Sequence, residues 1–337
     1  MTATQTIFAT EMNEVLFKLF CKYEFSNNKA QTLAEVHTEN TLRGVHSHGI
    51  NRVPFFIQCV KNGVVKTDSE ATLTEQFGSI ERWDGNQGSG VLNAIRCSKQ
   101  AIQLAQTNGI GIIALRNTNH WMRAGYYGWL AAENDCIAIM FTNTQPNMPA
   151  WGGIENRIGN NPFMISIPRR CGSHVVLDMA LSQFSFGKIQ EHALRDIKLP
   201  HPGGWNSNGE LSSDPESILK TESGLPIGYW KGSAFSMVLD MLATLLAAGQ
   251  STYRISQEKY ETNISQVFLC IDTKQFHDAS LKDRLLNEII NYSNSAPPKT
   301  NGSKVVYPGE TSLRKRRESL KNGMEVNSTV WQQIKAQ

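Results

Sequence analysis

Two histidines and one arginine carry the clearest chemistry in this chain. His48 stands in the run Ser47-His48-Gly49, and Arg52 follows four positions later. A titratable imidazole beside a guanidinium suits reduction of a 2-oxo acid. The guanidinium clamps the carboxylate through two parallel hydrogen bonds, and a protonated imidazole donates to the carbonyl oxygen as hydride reaches carbon. Gly49 lets a ligand approach the backbone closely. Arg52 is expected in the first turn of a helix, where free N–H groups also favour an anion. The plain structural alternative is a histidine at a helix end and a surface ion pair. Spacing alone leaves both open.

A second group, Arg116-Asn117-Thr118-Asn119-His120-Trp121, is expected to follow a buried strand ending at Leu115. Functional residues often gather at such strand ends in open α/β sheets. His120 is thus another acid/base candidate, and Asn117 and Asn119 could orient it or meet substrate hydroxyls. The structural alternative is a loop histidine stacked on Trp121. Asp178 ends a further strand and could bond a ribose, hold a histidine or cap the next helix. Lys188 and Lys231, each beside glycine, could meet a pyrophosphate, although most lysines are simply solvated. His46 and His48 could share a metal on an extended segment, but no Cys or acidic ligand lies nearby in sequence. No metal is expected.

The elements that must position these groups follow from apolar periodicity. Thr10 is the expected cap of a first helix that buries Met12, Leu16, Leu19 and Phe20. A second starts near Ser26 or Asn27, carries Ala30, Leu33, Ala34 and His37 on one stripe, and stops at Gly44. Asn51 is the expected cap of a third, with Pro54 in its first turn. Strands are expected at 71–74, 79–83, 110–115, 136–142, 163–167, 175–178 and 267–271. Helices are expected at 91–107 and 124–134, and core-facing ones at 237–248 and 281–292. Residues 199–226 read as a long surface excursion and 293–303 as a polar linker. Nearly all-apolar strands alternating with helices argue for a sheet covered on both faces.

Composition excludes several classes. The chain has 337 residues, 40% of them hydrophobic and 19% charged, which is too apolar for disorder. With 33 Lys+Arg against 30 Asp+Glu, no global field points to nucleic acid. The basic run Arg314-Lys315-Arg316-Arg317 falls in an expected amphipathic helix ending at Asn322-Gly323, so it reads as a solvated face. Six scattered cysteines without a CxxC read as buried free thiols. The first eight residues lack the basic and apolar regions of a secretory leader, and the longest apolar stretch, 237–248, falls short of the roughly twenty residues that span a bilayer. A cytoplasmic protein without membrane contact is expected. The pattern Gly109-Ile110-Gly111-Ile112-Ile113-Ala114 matches a relaxed dinucleotide fingerprint, but it follows a helix and opens a strand, the reverse of the required context.

Taken together, the motifs resemble the malate/L-lactate dehydrogenase family of non-Rossmann NAD(P)-dependent oxidoreductases. The supporting runs are Ser47-His48-Gly49-x-x-Arg52, Asn119-His120-Trp121-Met122-Arg123, Ile158-Gly159-Asn160-Asn161-Pro162 and Val176-Leu177-Asp178-Met179-Ala180. They continue through Leu225-Pro226-Ile227-Gly228-Tyr229-Trp230-Lys231-Gly232, Met237-Val238-Leu239-Asp240-Met241 and Tyr307-Pro308-Gly309. The resemblance implies an α/β protein with a mixed-sheet, L-sulfolactate dehydrogenase-like fold. It further implies a helical segment over 1–70, a cofactor-binding domain over 71–292, a C-terminal helical segment over 293–337 that returns to the first, and a homodimer.

By the same resemblance, closest to the 2,3-diketo-L-gulonate reductase branch, His48 is the proton donor; in sister branches that role falls to the position of His120. Arg52 corresponds to the carboxylate-binding arginine. The cofactor positions fall on His174, Val175, Val176, Leu177, Asp178, Met179 and Ala180, on Trp230 and Lys231, and on Gly309, Glu310 and Thr311. Glu310 replaces a histidine usual in that branch, and its charge would repel a ribose phosphate, which favours NADH over NADPH. The activity expected is NADH-dependent reduction of a 2-oxo sugar acid, 2,3-diketo-L-gulonate to 3-dehydro-L-gulonate. The alternatives are a malate, lactate or ureidoglycolate dehydrogenase, or a sugar-acid binding protein without turnover.

Overall fold

The computed structural model describes residues 4–274, 278–300 and 302–337. Asn301 of the expected linker and the first three residues of the N-terminal run lie outside that description. Three helices follow strand β1 (Thr4–Ile7): α1 (Ala9–Lys22), α2 (Asn27–Leu42) and α3 (Val53–Lys61). They share a core with the C-terminal strand and helix described below, through Phe20, Leu33, Ile57, Met324 and Trp331. Phe8, not Thr10, precedes α1 as its cap residue. Asn51 does not cap α3 either: it lies in a 3₁₀ turn, Ile50–Arg52, and Arg52 is the residue at which the α-helix begins. Pro54 occupies the first turn, where its missing N–H costs nothing.

The middle of the chain builds one sheet. Its strands are β2 (Thr72–Phe77) and β3 (Ile80–Asp84), then β4 (Ile110–Thr118) and β5 (Cys136–Thr142), separated by helices α4 (Gly90–Asn108) and α5 (Ala124–Glu133). A small hairpin, β6 (Pro146–Pro149) with β7 (Asn156–Gly159), leads into β8 (Phe163–Ile167) and β9 (Val175–Met179). The next part carries α6 (Phe186–Leu194), a short ribbon of β10 (Gly204–Trp205) and β11 (Leu211–Ser212), and α7 (Pro215–Thr221). The stretch read as a plain excursion therefore has structure of its own, pinned by Ile189, Leu199 and Ile218. After α8 (Trp230–Ala247) and α9 (Thr252–Ile255), β12 (Ile264–Asp272) returns to the sheet; α10 (Ala279–Asn294), α11 (Glu310–Asn322), β13 (Met324–Asn327) and α12 (Ser328–Ala336) complete the chain. β13 pairs antiparallel with β1, joining the two chain ends.

Sheet order is β2-β3-β4-β12-β5-β8-β9, and only β3 and β4 run parallel. β12 lies between β4 and β5 and splits its side chains between two cores. Phe268 and Cys270 face α4 and α5, whereas Val267 faces α8. Gly109 ends α4 in a left-handed conformation (φ 85°), and Gly111 lies so close to Ala101 O that a Cβ would overlap it. Both glycines thus serve a helix stop and helix–strand packing, not a phosphate.

Two helices differ from their expected core-facing character. α8 starts seven residues earlier than Met237, and leaves Met237, Val238, Met241, Leu242 and Leu245 exposed along one face. Its other face packs on the sheet through Leu239 and Ala243. α10 buries no residue, with Ile289 and Tyr292 largely exposed. Of the cysteines, Cys97, Cys136 and Cys270 are buried, but Cys171 is exposed in a turn.

Phe268 is the keystone of the inner face, edge-on to Trp121 at 5.7 Å and to Tyr127 at 6.4 Å. Replacing it with Ala should lower unfolding free energy by about 3–5 kcal/mol. Denaturant unfolding checks this, and a loss below about 1 kcal/mol would contradict this packing.

Candidate active site

The turn bearing His48 is held by polar groups of α2 that never reach solvent. His37, Asn40 and Thr41 are buried on its inward side. Asn40 Nδ2 donates to His48 O at 3.0 Å, and the Ile50 N–H donates to Thr41 Oγ1 at 3.0 Å. His37 Nδ1 donates to Gly49 O at 3.2 Å. A carbonyl only accepts, so Nδ1 carries the proton. Gly49 is required by this closeness: a Cβ there would overlap Thr41 Oγ1 and lie 2.9 Å from Thr41 N. On the other side α6 begins against the turn, with an added Cβ on Gly187 only 2.5 Å from Ser47 Cβ. Ser47 Oγ lies 3.0 Å from His48 Nδ1 and sets the ring's orientation.

His120 reaches the same place from the sheet. β4 continues past Leu115 to Thr118, because Arg116 and Asn117 form a bulge opposite Ser265. Asn117, at φ 51°, donates from Nδ2 to Asp84 Oδ2 at 2.8 Å. Its amide nitrogen is thereby tied to the neighbouring strand. Asn119 spends its amide nitrogen on Val64 O, Gln87 O and Gly88 O at 3.1, 3.0 and 2.9 Å. Its Oδ1 is buried and has no partner. Trp121 turns into the core instead of stacking on His120. The Met122 N–H donates to His120 Nδ1 at 2.9 Å. Since that nitrogen accepts, the neutral ring carries its proton on Nε2.

The two imidazoles stack, with centroids 5.7 Å apart and planes 20° from parallel. Arg52 and His120 line one cavity with Phe55, Cys59, Asn119 and Glu261. The enclosed space is about 30 Å³, with the half-exposed Phe55 among its walls, so it takes the first atoms of a ligand and a longer acid must extend past it. The Arg52 guanidinium lies over the Phe55 ring at 4.3 Å, and its Nε is buried without a partner. Burial, followed by the Arg52 charge, pulls the His48 pKa down to about 4 against the opposing pull of Asp178. Burial holds His120 well below its ordinary value, and Arg52 and His48 push the same way. Both rings are neutral at pH 7 while the cavity holds no anion.

A second region forms along β9, the edge of the sheet. The Val176 N–H donates to Pro308 O at 2.9 Å, and Gly309 (φ 98°) rests on that strand just before α11. A Cβ at Gly309 would lie 3.0 Å from Val176 N. Asp178 Oδ2 accepts from Gly125 N–H at 2.9 Å and from Arg123 Nε at 3.2 Å. Arg123 Nη2 also donates to Ser312 Oγ at 3.2 Å, while its Nη1 is buried and unpartnered. Positions 175–180 and 309–311 are thus adjacent, with an incompletely satisfied cation between them. That arrangement fits a phosphate-bearing cofactor at a helix N-terminus.

Other expected positions sit differently. The His174 ring accepts from Arg169 N–H at 3.0 Å through Nδ1 and packs on Trp129. Glu310 accepts the Tyr307 N–H at 3.2 Å, closing the turn that starts α11, and Thr311 is exposed. Trp230 and Lys231 are exposed at the start of α8, just beyond the Ile227 N–H bond to Leu181 O that extends β9. Lys188 Nζ lies 3.7 Å from Glu191 on its own helix. Among the described residues no group of three or more His, Cys, Asp or Glu could hold a metal ion, and no helix is long and apolar enough to cross a membrane. Sequence reasoning missed Glu261, Asn40 and Thr41. The last two were detectable, because with His37 they put polar groups on the inward stripe of a helix at positions i, i+3 and i+4.

The sequence model described as malate/L-lactate dehydrogenase matches residues 7–335. A curated relative from Salmonella typhi, named 2,3-diketo-L-gulonate reductase, is 38% identical over 327 residues, covering 97% of this chain and 98% of its own. Malate dehydrogenase from Entamoeba histolytica superposes with a TM-score of 0.94 at 22% identity, over 99% of this chain and 97% of the other, a likeness of fold alone. Sulfolactate dehydrogenase from Methanocaldococcus jannaschii gives a TM-score of 0.86 at 26% identity, over 98% and 95% of the two chains. The mixed-sheet, L-sulfolactate dehydrogenase-like fold is therefore the fold of this protein.

Nitrogen-15 imidazole spectra of the unliganded protein at pH 7 should show His48 and His120 neutral, with His120 as the Nε2–H tautomer. A protonated His120, or a proton on its Nδ1, would contradict the hydrogen-bond assignment.

Proposed function

The chain belongs to the malate/L-lactate dehydrogenase family and is an oxidoreductase, and from that premise we propose that it reduces a 2-oxo sugar acid, 2,3-diketo-L-gulonate, to 3-dehydro-L-gulonate. One observation carries the reading: Arg52 and His120, from two separate parts of the chain, line one small cavity, and the His48 ring stacks on His120 beside it. The relative named for that reaction, similar over nearly the whole chain, supports the choice of acid.

Arg52 receives the carboxylate with the N–H groups it has free. His120 donates from Nε2 to the reacting carbonyl oxygen and orients it; its Nδ1 is occupied by Met122, so it has no easy way to take up and pass on a proton. That leaves His48 as the proton donor. It must first gain a proton, because the empty cavity keeps it neutral. Burial is the larger cause of its low pKa and the Arg52 charge the second; a bound carboxylate offsets that charge, so binding the acid moves His48 toward its protonated form. A reduced nicotinamide dinucleotide supplies the hydride when bound. Residues 175–180 and 309–311 would hold it, with Arg123 toward its phosphates and Trp230 and Lys231 beyond the end of β9. The carboxylate of Glu310 beside that path supports NADH over NADPH, since it would repel a ribose phosphate.

A homodimer belongs to the same reading, supported by the exposed apolar face of α8. A cytoplasmic location, resting on thiols at Cys97, Cys136 and Cys270 buried in the core, completes it. Light scattering should find two copies, and Leu245→Glu with Met241→Glu should give one. A wild-type monomer at micromolar concentration would contradict the dimer.

Kinetics with NADH tests the chemistry. His48→Asn should cut kcat by about 100-fold or more while NADH affinity by fluorescence changes less than about twofold. Arg52→Ala should raise KM for the acid by about 100-fold, the loss of a charge-assisted pair. Unchanged kcat in the first, or unchanged KM in the second, removes that residue from its role.

A further inference from the structure

The cavity beside Arg52 offers two opposite kinds of polar group. Donors lie on one side, Arg52 Nε without a partner and His120 Nε2. They match the carboxylate and carbonyl common to every 2-oxo acid, so they cannot tell one such acid from another. Acceptors lie with them in the same wall: Asn119 Oδ1, buried and unpartnered, and the Glu261 carboxylate. Only a ligand that donates hydrogen bonds satisfies those atoms.

Glu261 is placed there by design of its loop. The segment between α9 and β12 is tied down by Gln145, whose N–H donates to Glu261 Oε2 at 3.1 Å and whose Nε2 donates to Glu258 O at 3.3 Å. Asn62 Nδ2 donates to Tyr260 Oη at 3.1 Å, and Gln87 Nε2 to Asn263 Oδ1 at 3.2 Å, fixing the loop to the end of α3 and to the turn beside Asn119. Burial raises the Glu261 pKa, with the Gln145 N–H and the Arg52 charge opposing. The carboxylate therefore lines the same cavity as the anion-binding Arg52, where it costs affinity unless the ligand offsets it with a hydroxyl.

We propose that Glu261, assisted by Asn119 Oδ1, determines specificity by accepting hydrogen bonds from hydroxyl groups of a polyhydroxy 2-oxo acid and by repelling the second carboxylate of a dicarboxylic one. The inference rests on the reading of function above and deepens it. A lactate-type acid brings no such hydroxyl, and a malate-type acid brings a second negative charge toward Glu261. A sugar acid alone satisfies both the donors and the acceptors. The missing partner is unusually costly in such a site, since a buried polar group left unpaired discriminates far more strongly than a missing methylene.

Initial rates with NADH at pH 8 test this for three acids: 2,3-diketo-L-gulonate, oxaloacetate and pyruvate. Glu261→Gln removes the charge in nearly the same shape, and should shift the ratio of kcat/KM for oxaloacetate over diketogulonate upward by about tenfold. Pyruvate, which has neither a hydroxyl nor a second charge, should move less than either. Glu258→Gln removes the same charge from the exposed neighbour and should leave the ratio within about twofold. An unchanged ratio in Glu261→Gln with activity intact, or an equal shift in Glu258→Gln, would overturn the assignment while leaving the proposed function standing. Should Glu261→Gln fail to fold, Glu261→Asp carries the test. It keeps the charge but shortens the reach, so diketogulonate use should fall about tenfold while oxaloacetate stays rejected, and retention of wild-type diketogulonate use would overturn the inference. A wild-type protein that reduces none of the three acids would instead overturn the reading of function, and this inference with it.

Discussion

The site depends on one buried polar clamp. Three side chains of α2 that face the protein interior hold three successive backbone groups of the turn at 48–50. Each such bond adds only about 1 kcal/mol when made, but an unpaired buried group costs about 1–3 kcal/mol. The turn therefore has one well-determined arrangement, and departures leave several groups unpaired at once. Gly49 belongs to the clamp, because no side chain fits between its backbone and Thr41. The clamp fixes where His48 stands, and through the 3₁₀ turn that follows it also fixes Arg52.

The sheet supplies the opposing half by a different device. A bulge in β4 redirects the chain after Leu115, Asn119 fastens the new direction to three carbonyls, and the Met122 N–H fixes the His120 ring and tautomer. Two over-determined segments from distant parts of the sequence thus meet face to face. The two rings differ in what holds Nδ1: a backbone N–H that can only donate at His120, and at His48 a serine hydroxyl that can donate or accept. Arg52 couples the halves electrically. Its charge adds to burial in lowering the proton affinity of both rings, and an anion that neutralises it removes that share.

Much of this was legible in the sequence. Glycine at 44, 78 and 109 marked element ends, each at positive φ, and β5 and β8 have the bounds that apolar periodicity predicts. The histidine and arginine motifs named Arg52 and His120, which line the cavity, and His48, which stacks on His120. The departures have physical causes. The extension of β4 past Leu115 was not foreseen because periodicity does not reveal a bulge, which depends on the partner strand. The α8 face reads as core from composition, since an apolar stripe is the same whether it meets the chain's own interior or a surface left open. Asn51 has the chemistry of a cap, but Gly49 and the clamp commit residues 50–52 to a tighter turn first. Glu261 lay in an unremarked loop, and only the fold brings it into the same cavity as Arg52.

The central claim is that Arg52 and His48 serve one acid and that its carboxylate loads the proton donor. Calorimetry of oxamate binding to the cofactor-saturated protein, repeated at pH 6.5 in buffers of different ionisation enthalpy, measures proton uptake directly. The account predicts a net proton uptake on binding in the wild type, lost in His48→Asn. Binding of oxamate with no change in bound protons would contradict it.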